Sequence, residues 1–210
     1  MKLSEKTISI LKNFASINQS IFFRSGNKLR TISVMKNILA EAEIEEDFPK
    51  DFAIYDLIQF LNAVKLHQNP DLDFSNNSYL LIRDGKEKAK YTFADPEVII
   101  SPPDKEISLP SKDVCFQIES VQLDKLLKAS SVYQVSDLSA VGKDGKINLV
   151  IRDKKNDSSN EYSIEVGKTD KEFTFNFKIE NIKIIPGSYD VVISSKLYSQ
   201  FTCKQFNLCY

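Results

Sequence analysis

Few residues in this chain are suited to chemistry. One candidate is the Gly-Lys-Thr run at residues 167–169, which would suit a phosphate-binding loop. Such a loop needs a second glycine five positions earlier, and Tyr162 stands there. The surrounding residues alternate between apolar and polar side chains, which is typical of strands. We therefore expect a hairpin at this place and no nucleotide site.

A second candidate is the hexapeptide DLDFSN at residues 71–76, whose spaced oxygen-bearing side chains suggest a calcium loop. The glycine that the sharp turn of such a loop requires is replaced by Asn76. The closing glutamate, which would bind the ion through both oxygens, is replaced by Ile82. The segment is expected to be an ordinary surface loop, and the sequence predicts neither a metal site nor a cofactor.

The histidine and the cysteines also argue against catalysis. His67 is the only histidine, so a Ser-His-Asp or Cys-His set would have to rely on it alone. Cys115, Cys203 and Cys209 are odd in number and lack the Cys-x-x-Cys spacing of zinc and redox sites. We expect them to be reduced thiols packed in strands. The sequence therefore predicts a protein that is not an enzyme.

Composition and charge limit the remaining possibilities. Apolar residues make up 42% and charged residues 27% of 210 positions, which is typical of a folded globular protein. The net charge of -1 argues against a protein that coats nucleic acid through overall basicity. No apolar run approaches the roughly 18 residues of a membrane span, and the start MKLSEKTISI is too polar for a signal peptide. The protein is expected to stay in the compartment where it is made, with no membrane partner.

Three short segments have the apolar periodicity of amphipathic helices, at residues 4–17, 57–66 and 121–131. Ser4 is a suitable N-cap for the first of them. The outward faces are polar and carry lysines, whereas acidic residues are concentrated in EAEIEEDFPKD at residues 41–51. The lysines on or beside the three helices are Lys2, Lys12, Lys65, Lys125 and Lys128.

Most of the remaining chain is predicted to form short strands, so the fold class is α+β with antiparallel sheets. Tight turns are expected at Gly26-Asn27, Asp84-Gly85 and Asp144-Gly145, because these residues tolerate positive φ. The proline-rich segment ADPEVIISPPDKEISLPSKD predicts an extended strap near mid-chain. We therefore divide the chain into a first domain at 1–100, a strap at 101–112 and a second domain at 113–210.

The two halves resemble each other. ILKNFASINQS at residues 10–20 matches LLKASSVYQVS at 126–136, and FAIYDLIQF at 52–60 matches FKIENIKII at 177–185, in the same order. A gene duplication would explain this pattern. The alternative is that common patterning of helices and strands produces the matches by chance. Two similar domains can assemble head to tail through strand edges, and a suitable rotation closes such an assembly into a ring.

A closed ring has an inner wall, and the repeated helices could line it. Sparse lysines on that wall would attract the phosphates of duplex DNA without reading its bases. The acidic segment at 41–51 would lie elsewhere and discourage DNA from other surfaces. The competing interpretation is that these lysines are simply the solvated faces of amphipathic helices.

Four stretches carry a resemblance to a known family: MKLSEKTISILKNFASINQSI, DFAIYDLIQFL, ADPEVIISPP and FTFNFKIENIKIIPGSYDV. With them the chain resembles the DNA polymerase sliding clamps, or processivity factors, of T-even-like bacteriophages. The resemblance implies a homotrimeric ring of six similar α+β domains around duplex DNA, in the cytoplasm of the host cell. It also implies an ATP-driven clamp loader that opens the ring, a replicative DNA polymerase tethered by it, and late-transcription factors as candidate partners.

The resemblance also implies roles for individual residues. Lys12, Lys125, Lys128 and Lys183 should face the DNA, and we add Lys2 and Lys65 as further DNA-binding candidates. The strap triplet Val98, Ile99 and Ile100 either pins the strap to the sheet or helps to wall a groove for peptide tails of the polymerase or the loader. Members of the family continue beyond the final residues QFNLCY, so the last strand of the second domain is expected to be incomplete.

Two other classes of function remain open. A single-strand nucleic-acid binding module would present exposed aromatic residues interleaved with lysines, and the sequence does not have that pattern. A phage structural protein that assembles through strand edges would not bind DNA at all.

Overall fold

The computed structural model describes residues 1–105, 107–156 and 158–210. Its contacts divide the chain into unit 1, which contains Met1–Glu106 and Phe206–Tyr210, and unit 2, which contains Ile107–Gln205. The division expected from the sequence differs at the carboxyl end, where residues 206–210 were placed in the second domain. They group with unit 1 because their backbone pairs with one of its strands.

Unit 1 contains two helices and, before the strap, seven strands. They are α1 (Glu5–Ile17), β1 (Ile21–Phe23), β2 (Gly26–Ile32), β3 (Leu39–Phe48), β4 (Phe52–Ile54), α2 (Leu57–Lys65), β5 (Asp71–Asp73), β6 (Tyr79–Asp84) and β7 (Glu87–Thr92). β1 pairs with β4, β2 with β3, and β5, β6 and β7 form a three-stranded sheet, all antiparallel. α1 and α2 pack against each other.

The described residues of unit 2 form one α-helix and seven strands. They are β8 (Val114–Ile118), α3 (Ser120–Tyr133), β9 (Asp137–Lys143), β10 (Lys146–Arg152), β11 (Tyr162–Lys168), β12 (Phe173–Lys178), β13 (Tyr189–Ser194) and β14 (Tyr198–Cys203). Four of the strands form an antiparallel sheet in the order β11-β10-β9-β12, and β13 pairs with β14 and β8. The short β15 (Leu208–Cys209) follows and pairs with β3 of unit 1.

The first predicted helix forms with its expected cap. The Ser4 side chain accepts a hydrogen bond from the Thr7 amide at the start of α1, which satisfies one of the free donors of the first turn. α1 buries one face made of Thr7, Ile10, Leu11, Phe14 and Ile17. The same periodicity leaves Lys12 exposed on the other side.

The acidic segment at 41–51 is partly structural. The Glu46 carboxylate accepts hydrogen bonds from the Ser4 amide and, at 2.5 Å, from the Thr7 hydroxyl, and so caps the start of α1. Burial alone would raise the pKa of Glu46, but the hydrogen bonds from Thr7 and Ser4 hold it below its ordinary value. Glu41 pairs with Arg30 at 2.6 Å and with Lys28 at 3.6 Å. The acids that remain exposed on β3 are Glu43, Glu45 and Asp47.

Two of the three predicted tight turns are confirmed. Asp144 and Gly145, with φ of 52° and 78°, join β9 to β10, and the turn after Asp84 joins β6 to β7. The hairpin predicted at Gly26-Asn27 is wrong, because β1 pairs with β4 instead of β2. Gly26 lies at an irregularity in the pairing of β2 with β3.

The sequence match between the two halves does not extend to a second helix. The segment of the second half that resembles α2 forms a short 3₁₀ turn at Ile179–Asn181, so α3 is the one α-helix among the described residues of unit 2. The cysteines all lie in strands and are free: Cys203 is buried, Cys209 is half-buried, and Cys115 on β8 is exposed instead of packed.

Candidate nucleic-acid interface

Three of the predicted DNA-binding lysines lie in unit 1. Lys12 is exposed on α1, and Lys65 is exposed in the last turn of α2, where a cation is favoured by the helix dipole. Lys2 precedes α1 and donates from Nζ to Asn69 Oδ1 at 2.7 Å, shortly beyond the end of α2. The packing of α1 against α2 thus gathers three lysines around one helix pair.

Lys12 on α1 and Lys65 on α2 influence each other through their charges. The interaction with the Lys65 ammonium group, together with its like charge, lowers the pKa of Lys12 below its ordinary value. The negative charge of Glu5 opposes this shift only in part. The exposed faces of α1 and α2 thus carry positive charge that an anion can neutralise.

Lys125 and Lys128 lie on α3 in unit 2, and both are exposed as predicted. Lys128 forms an ion pair with Asp124, one turn earlier, at 2.7 Å. Both members of the pair are largely exposed, so the pair contributes at most about 0.5 kcal/mol and can exchange for a phosphate contact. Lys183 follows the 3₁₀ turn and is half-buried, so it has less freedom to reach a ligand.

The three apolar residues of the strap triplet, Val98, Ile99 and Ile100, differ in their exposure to solvent. Ile99 is 8% exposed and is part of the core of unit 1, whereas Val98 is 58% and Ile100 39% exposed. Val98 ends a 3₁₀ turn at Pro96–Val98, which Asp95 caps by accepting from the Glu97 amide. The remaining described strap residues form neither helix nor strand, in agreement with the extended segment that the prolines predicted.

Three side chains hold the strap against the rest of unit 1, and the sequence did not identify any of them. Asn18 Nδ2 donates to the Ile100 carbonyl at 3.1 Å and to the Ile32 carbonyl at 2.9 Å. Arg30 Nη1 donates to the Pro103 carbonyl at 2.8 Å, and Arg24 forms an ion pair with Asp104. No local signal could have identified these anchors, because each lies more than 70 positions from its strap partner in the sequence.

Asn18→Ala is expected to destabilise the protein by about 2–3 kcal/mol, because buried carbonyls and the Ser20 amide lose their partner. Urea denaturation measures the loss, and amide hydrogen exchange should accelerate at Ile99, whose amide donates to the Pro96 carbonyl at 3.1 Å. Asn62→Ala, on the exposed face of α2, is the control and should change stability by less than about 0.5 kcal/mol. Equal effects of the two substitutions would show that Asn18 does not anchor the strap.

A shallow cleft of about 390 Å³ lies beside the start of α2 and β7 and was not predicted. Tyr91 lines it and donates from its hydroxyl to the Asp56 carbonyl at 3.2 Å and to Gln59 Oε1 at 3.1 Å. Burial raises the pKa of Tyr91, and the Asp56 charge adds to the effect. The positions of the aromatic residues in the sequence do not indicate this cleft, because the cleft depends on how α2 packs beside β7.

Within the described residues, no group of three or more histidine, cysteine or acidic side chains is arranged to hold a metal ion. None of the helices in that part of the chain is both long and apolar enough to cross a membrane.

Comparison with known proteins identifies the family. A model of the DNA polymerase processivity factor matches residues 2–101, and a model of the gp45 sliding clamp C-terminal domain matches residues 115–208. The sliding clamp of Vibrio phage KVP40 is 34% identical over 208 residues, covering 96% of this chain and 94% of the relative. The sliding clamp of Enterobacteria phage T4 is 34% identical over 202 residues, covering 93% and 88%.

Solved structures share the fold at low sequence identity. The proliferating cellular nuclear antigen of Entamoeba histolytica aligns with a TM-score of 0.71 at 14% identity, covering 96% of this chain and 91% of that one. The DNA polymerase III subunit beta sliding clamp of Bartonella birtlesii aligns with a TM-score of 0.67 at 14% identity, covering 97% and 62%. With its antiparallel sheets, few helices and two matching family models, this chain belongs to the sliding clamps of T-even-like bacteriophages, the processivity factors of phage DNA polymerases.

Proposed function

We propose that three copies of this chain close into a ring around duplex DNA and hold the replicative polymerase on its template. An ATP-driven clamp loader opens the ring in the cytoplasm of the infected cell, and late-transcription factors can use the same ring as a platform. The chain itself performs no chemistry, since ATP hydrolysis belongs to the loader. Persistence on DNA comes from topology, and the lysines add a weak attraction.

The observation that carries the proposal is the placement of lysines on exposed helix faces of a family member. Lys12 and Lys65 on α1 and α2, and Lys125 and Lys128 on α3, face solvent from the polar sides of their helices. In a ring, these faces would turn toward the central DNA, together with Lys2 and Lys183. Each phosphate contact would be weak and sensitive to salt, which suits a ring that slides.

The same proposal assigns the strap to partner binding. Ile99 fixes the strap to unit 1, while Val98 and Ile100 offer exposed apolar side chains to peptide tails of the polymerase or the loader. Asn18 supports this surface, since its amide holds the Ile100 carbonyl in place. The assignment requires no movement of the strap.

The test compares nicked circular with linear duplex DNA, with the cognate loader and ATP supplied. The ring is expected to persist on the circle and to run off the ends of the linear duplex, and light scattering should give three times the chain mass of 23.9 kDa. Retention on linear DNA equal to that on circles would contradict encirclement. Binding only to single strands, or no binding at all, would instead support the single-strand module or the structural protein.

A further inference from the structure

Leu197 combines two features that folding does not favour. It lies in the turn at 195–197 between β13 and β14, with a backbone φ of 65°, in the left-handed region where a bulky side chain is strained. Its side chain is 87% exposed, so burial does not offset this strain. The other non-glycine residues with positive φ among those that the structure describes are all polar: Lys36, Gln134, Asp144 and Asn207. Folding alone does not explain a leucine here, and such strained residues are concentrated at functional sites.

The turn is held in its strained form by hydrogen bonds from the segment just before β8 and from β13. The Asp113 carboxylate accepts from the Ser111 hydroxyl at 2.6 Å and from the Ser195 amide at 2.8 Å. These hydrogen bonds lower the pKa of Asp113 to about 2, so the carboxylate is ionised at neutral pH. Ser194 is 0% exposed, and its hydroxyl shares a hydrogen bond of 2.6 Å with that of Ser111. The Leu197 amide donates to the Ser194 carbonyl at 3.0 Å, so the turn has little freedom to withdraw its leucine from solvent.

The surface around Leu197 is apolar at its centre and basic at its edge. Tyr198, the next residue, is 57% exposed. Lys196 precedes Leu197 in the turn, Lys112 belongs to the segment that holds the turn, and both lysines are exposed. Lys171 is exposed as well and donates from Nζ to a carbonyl of that segment at 3.3 Å. A complementary partner would offer an apolar pocket for the leucine and carboxylates at the rim of that pocket.

We propose that the β13–β14 turn is a docking site for the clamp loader, with Leu197 inserted into an apolar pocket whose rim of carboxylates faces the lysines. The inference rests on the proposed function, which supplies the loader as the partner that must hold the ring in order to open it. A partner that pulls needs a contact that does not deform, and a turn bonded to a neighbouring segment and to β13 transmits force to the sheet. Peptide tails need no such rigidity, because an exposed apolar surface is enough for their docking.

Leu197→Asn removes the apolar side chain and introduces a residue that tolerates positive φ. The equilibrium constant for folding should rise by roughly fivefold, while the affinity for the loader should fall by at least about tenfold. Urea denaturation measures the first effect, and titration of the protein with the purified cognate loader and an ATP analogue measures the second. A purely structural role would lower stability and binding together. Unchanged loader affinity, or a loss of stability, would overturn the proposal.

Leu66→Asn is the matched control. Leu66 is 80% exposed, but it lies at the end of α2 with an ordinary helical φ of -62°. Its replacement should change loader affinity by less than about twofold. A loss as large as that of Leu197→Asn would show that the loader responds to any exposed leucine, which would overturn the docking site.

Lys196→Gln tests the basic edge of the site. Loader affinity should fall in this variant and depend less on salt, because a charge pair at the rim of an interface is screened by ions. Lys155→Gln, at an exposed position between β10 and β11, should bind the loader as the unchanged protein does. Equal salt dependence in the two variants would overturn the carboxylate rim.

Two further measurements separate this inference from the proposed function. Once loaded on a nicked circle, the Leu197→Asn ring should persist as the unchanged ring does, and polymerase should bind both equally, because neither property uses the turn. If the loader binds and loads both proteins equally, the docking site is overturned and the proposed function stands. If polymerase binding falls instead, the assignment to the loader is overturned. If the loader binds neither protein, the proposed function fails together with the inference.

Discussion

Phe23→Ala is expected to destabilise unit 1 by about 3–5 kcal/mol. Phe23 is 0% exposed, and its ring stacks on Phe52 at a centroid distance of 4.4 Å and an interplanar angle of 5°. It also contacts Phe48 at 4.9 Å and Phe60 of α2 at 6.5 Å. Alanine would lose the transfer free energy of the ring and leave a cavity among aromatic side chains that cannot all close in.

Urea denaturation followed by circular dichroism measures this loss, since the chain has no tryptophan to report fluorescence. Phe22→Ala is the matched control on the same strand, because Phe22 is only half-buried and has the Arg24 guanidinium 5.3 Å from its ring centre. Its cost should be at most about half that of Phe23→Ala. A similar loss at both positions would mean that the aromatic cluster is not the main support of β1.

The destabilisation would extend to the helix pair α1 and α2, which carries Lys12 and Lys65. β4 leads directly into α2, whose N-cap Asp56 accepts from the Gln59 amide at 2.8 Å, and the Leu57 amide donates to the Gln19 carbonyl at 2.8 Å. Loosening the β1–β4 pair would therefore loosen the position of α2 relative to α1.

Features that depend on neighbouring residues could be predicted from the sequence. The Ser4 cap and the buried face of α1 follow from local spacing, and Asp144-Gly145 forms its turn because both residues reach positive φ at little cost. The exposure of Lys12, Lys125 and Lys128 follows from the same helical periodicity. These predictions needed no knowledge of tertiary structure.

Gly26-Asn27 shows where local reasoning fails. The dipeptide suits a tight turn, but β1 is drawn to β4 by the burial of Phe23 against Phe52, which outweighs turn preference. The actual connection from β2 to β3 contains no glycine: Ser33 accepts hydrogen bonds from the Asn37 and Ile38 amides, and Lys36 adopts a φ of 56°. Nothing in these residue types alone favours that loop.

The parts of the candidate site that the sequence could not predict depend on residues that lie far apart in the chain. Lys12 and Lys65 are separated by more than 50 positions and belong to one helix pair only because α1 packs on α2. β15 likewise pairs with β3, and Tyr210 donates from its hydroxyl to Asn13 Oδ1 at 2.6 Å on α1, which places the last residues in unit 1. The members of each pair lie far apart in the chain, so no short stretch of sequence contains both of them.

Lys178→Met is expected to destabilise unit 2 at pH 7 by more than the loss of an exposed ion pair would, because it leaves a buried carboxylate without its nearest cation. Asp137 is 2% exposed and lies 2.8 Å from Lys178 Nζ, between paired positions of β9 and β12, whereas Lys178 is 41% exposed. Methionine would leave the carboxylate buried, with the Lys154 amide as a weak donor at 3.4 Å. The partial exposure of Lys178 reduces the cost.

The loss should depend on pH in a defined direction. Burial alone would raise the pKa of Asp137, but Lys178 and the Lys154 amide hold it below its ordinary value. In the unchanged protein this contribution to stability is present above the ordinary carboxyl pKa of about 4 and is lost as pH falls through the lower folded value. Without Lys178, burial prevails, the pKa rises, and protonation relieves the buried charge. The difference in unfolding free energy between variant and unchanged protein should therefore shrink as pH falls from 7 toward 4.

Urea denaturation at pH 7, 5 and 4 tests this expectation, with Lys146→Met as the matched control on the neighbouring strand. Lys146 pairs with Glu165 at 2.8 Å, but both side chains are about half exposed, so breaking that pair should cost less than about 1 kcal/mol at any of these pH values. The pair matters because a carboxylate that cannot reach water depends on its nearest cation, while an exposed carboxylate is solvated without one. A Lys178→Met loss no larger than that of the control, or one that stays constant with pH, would show that Asp137 reaches solvent when its partner is removed.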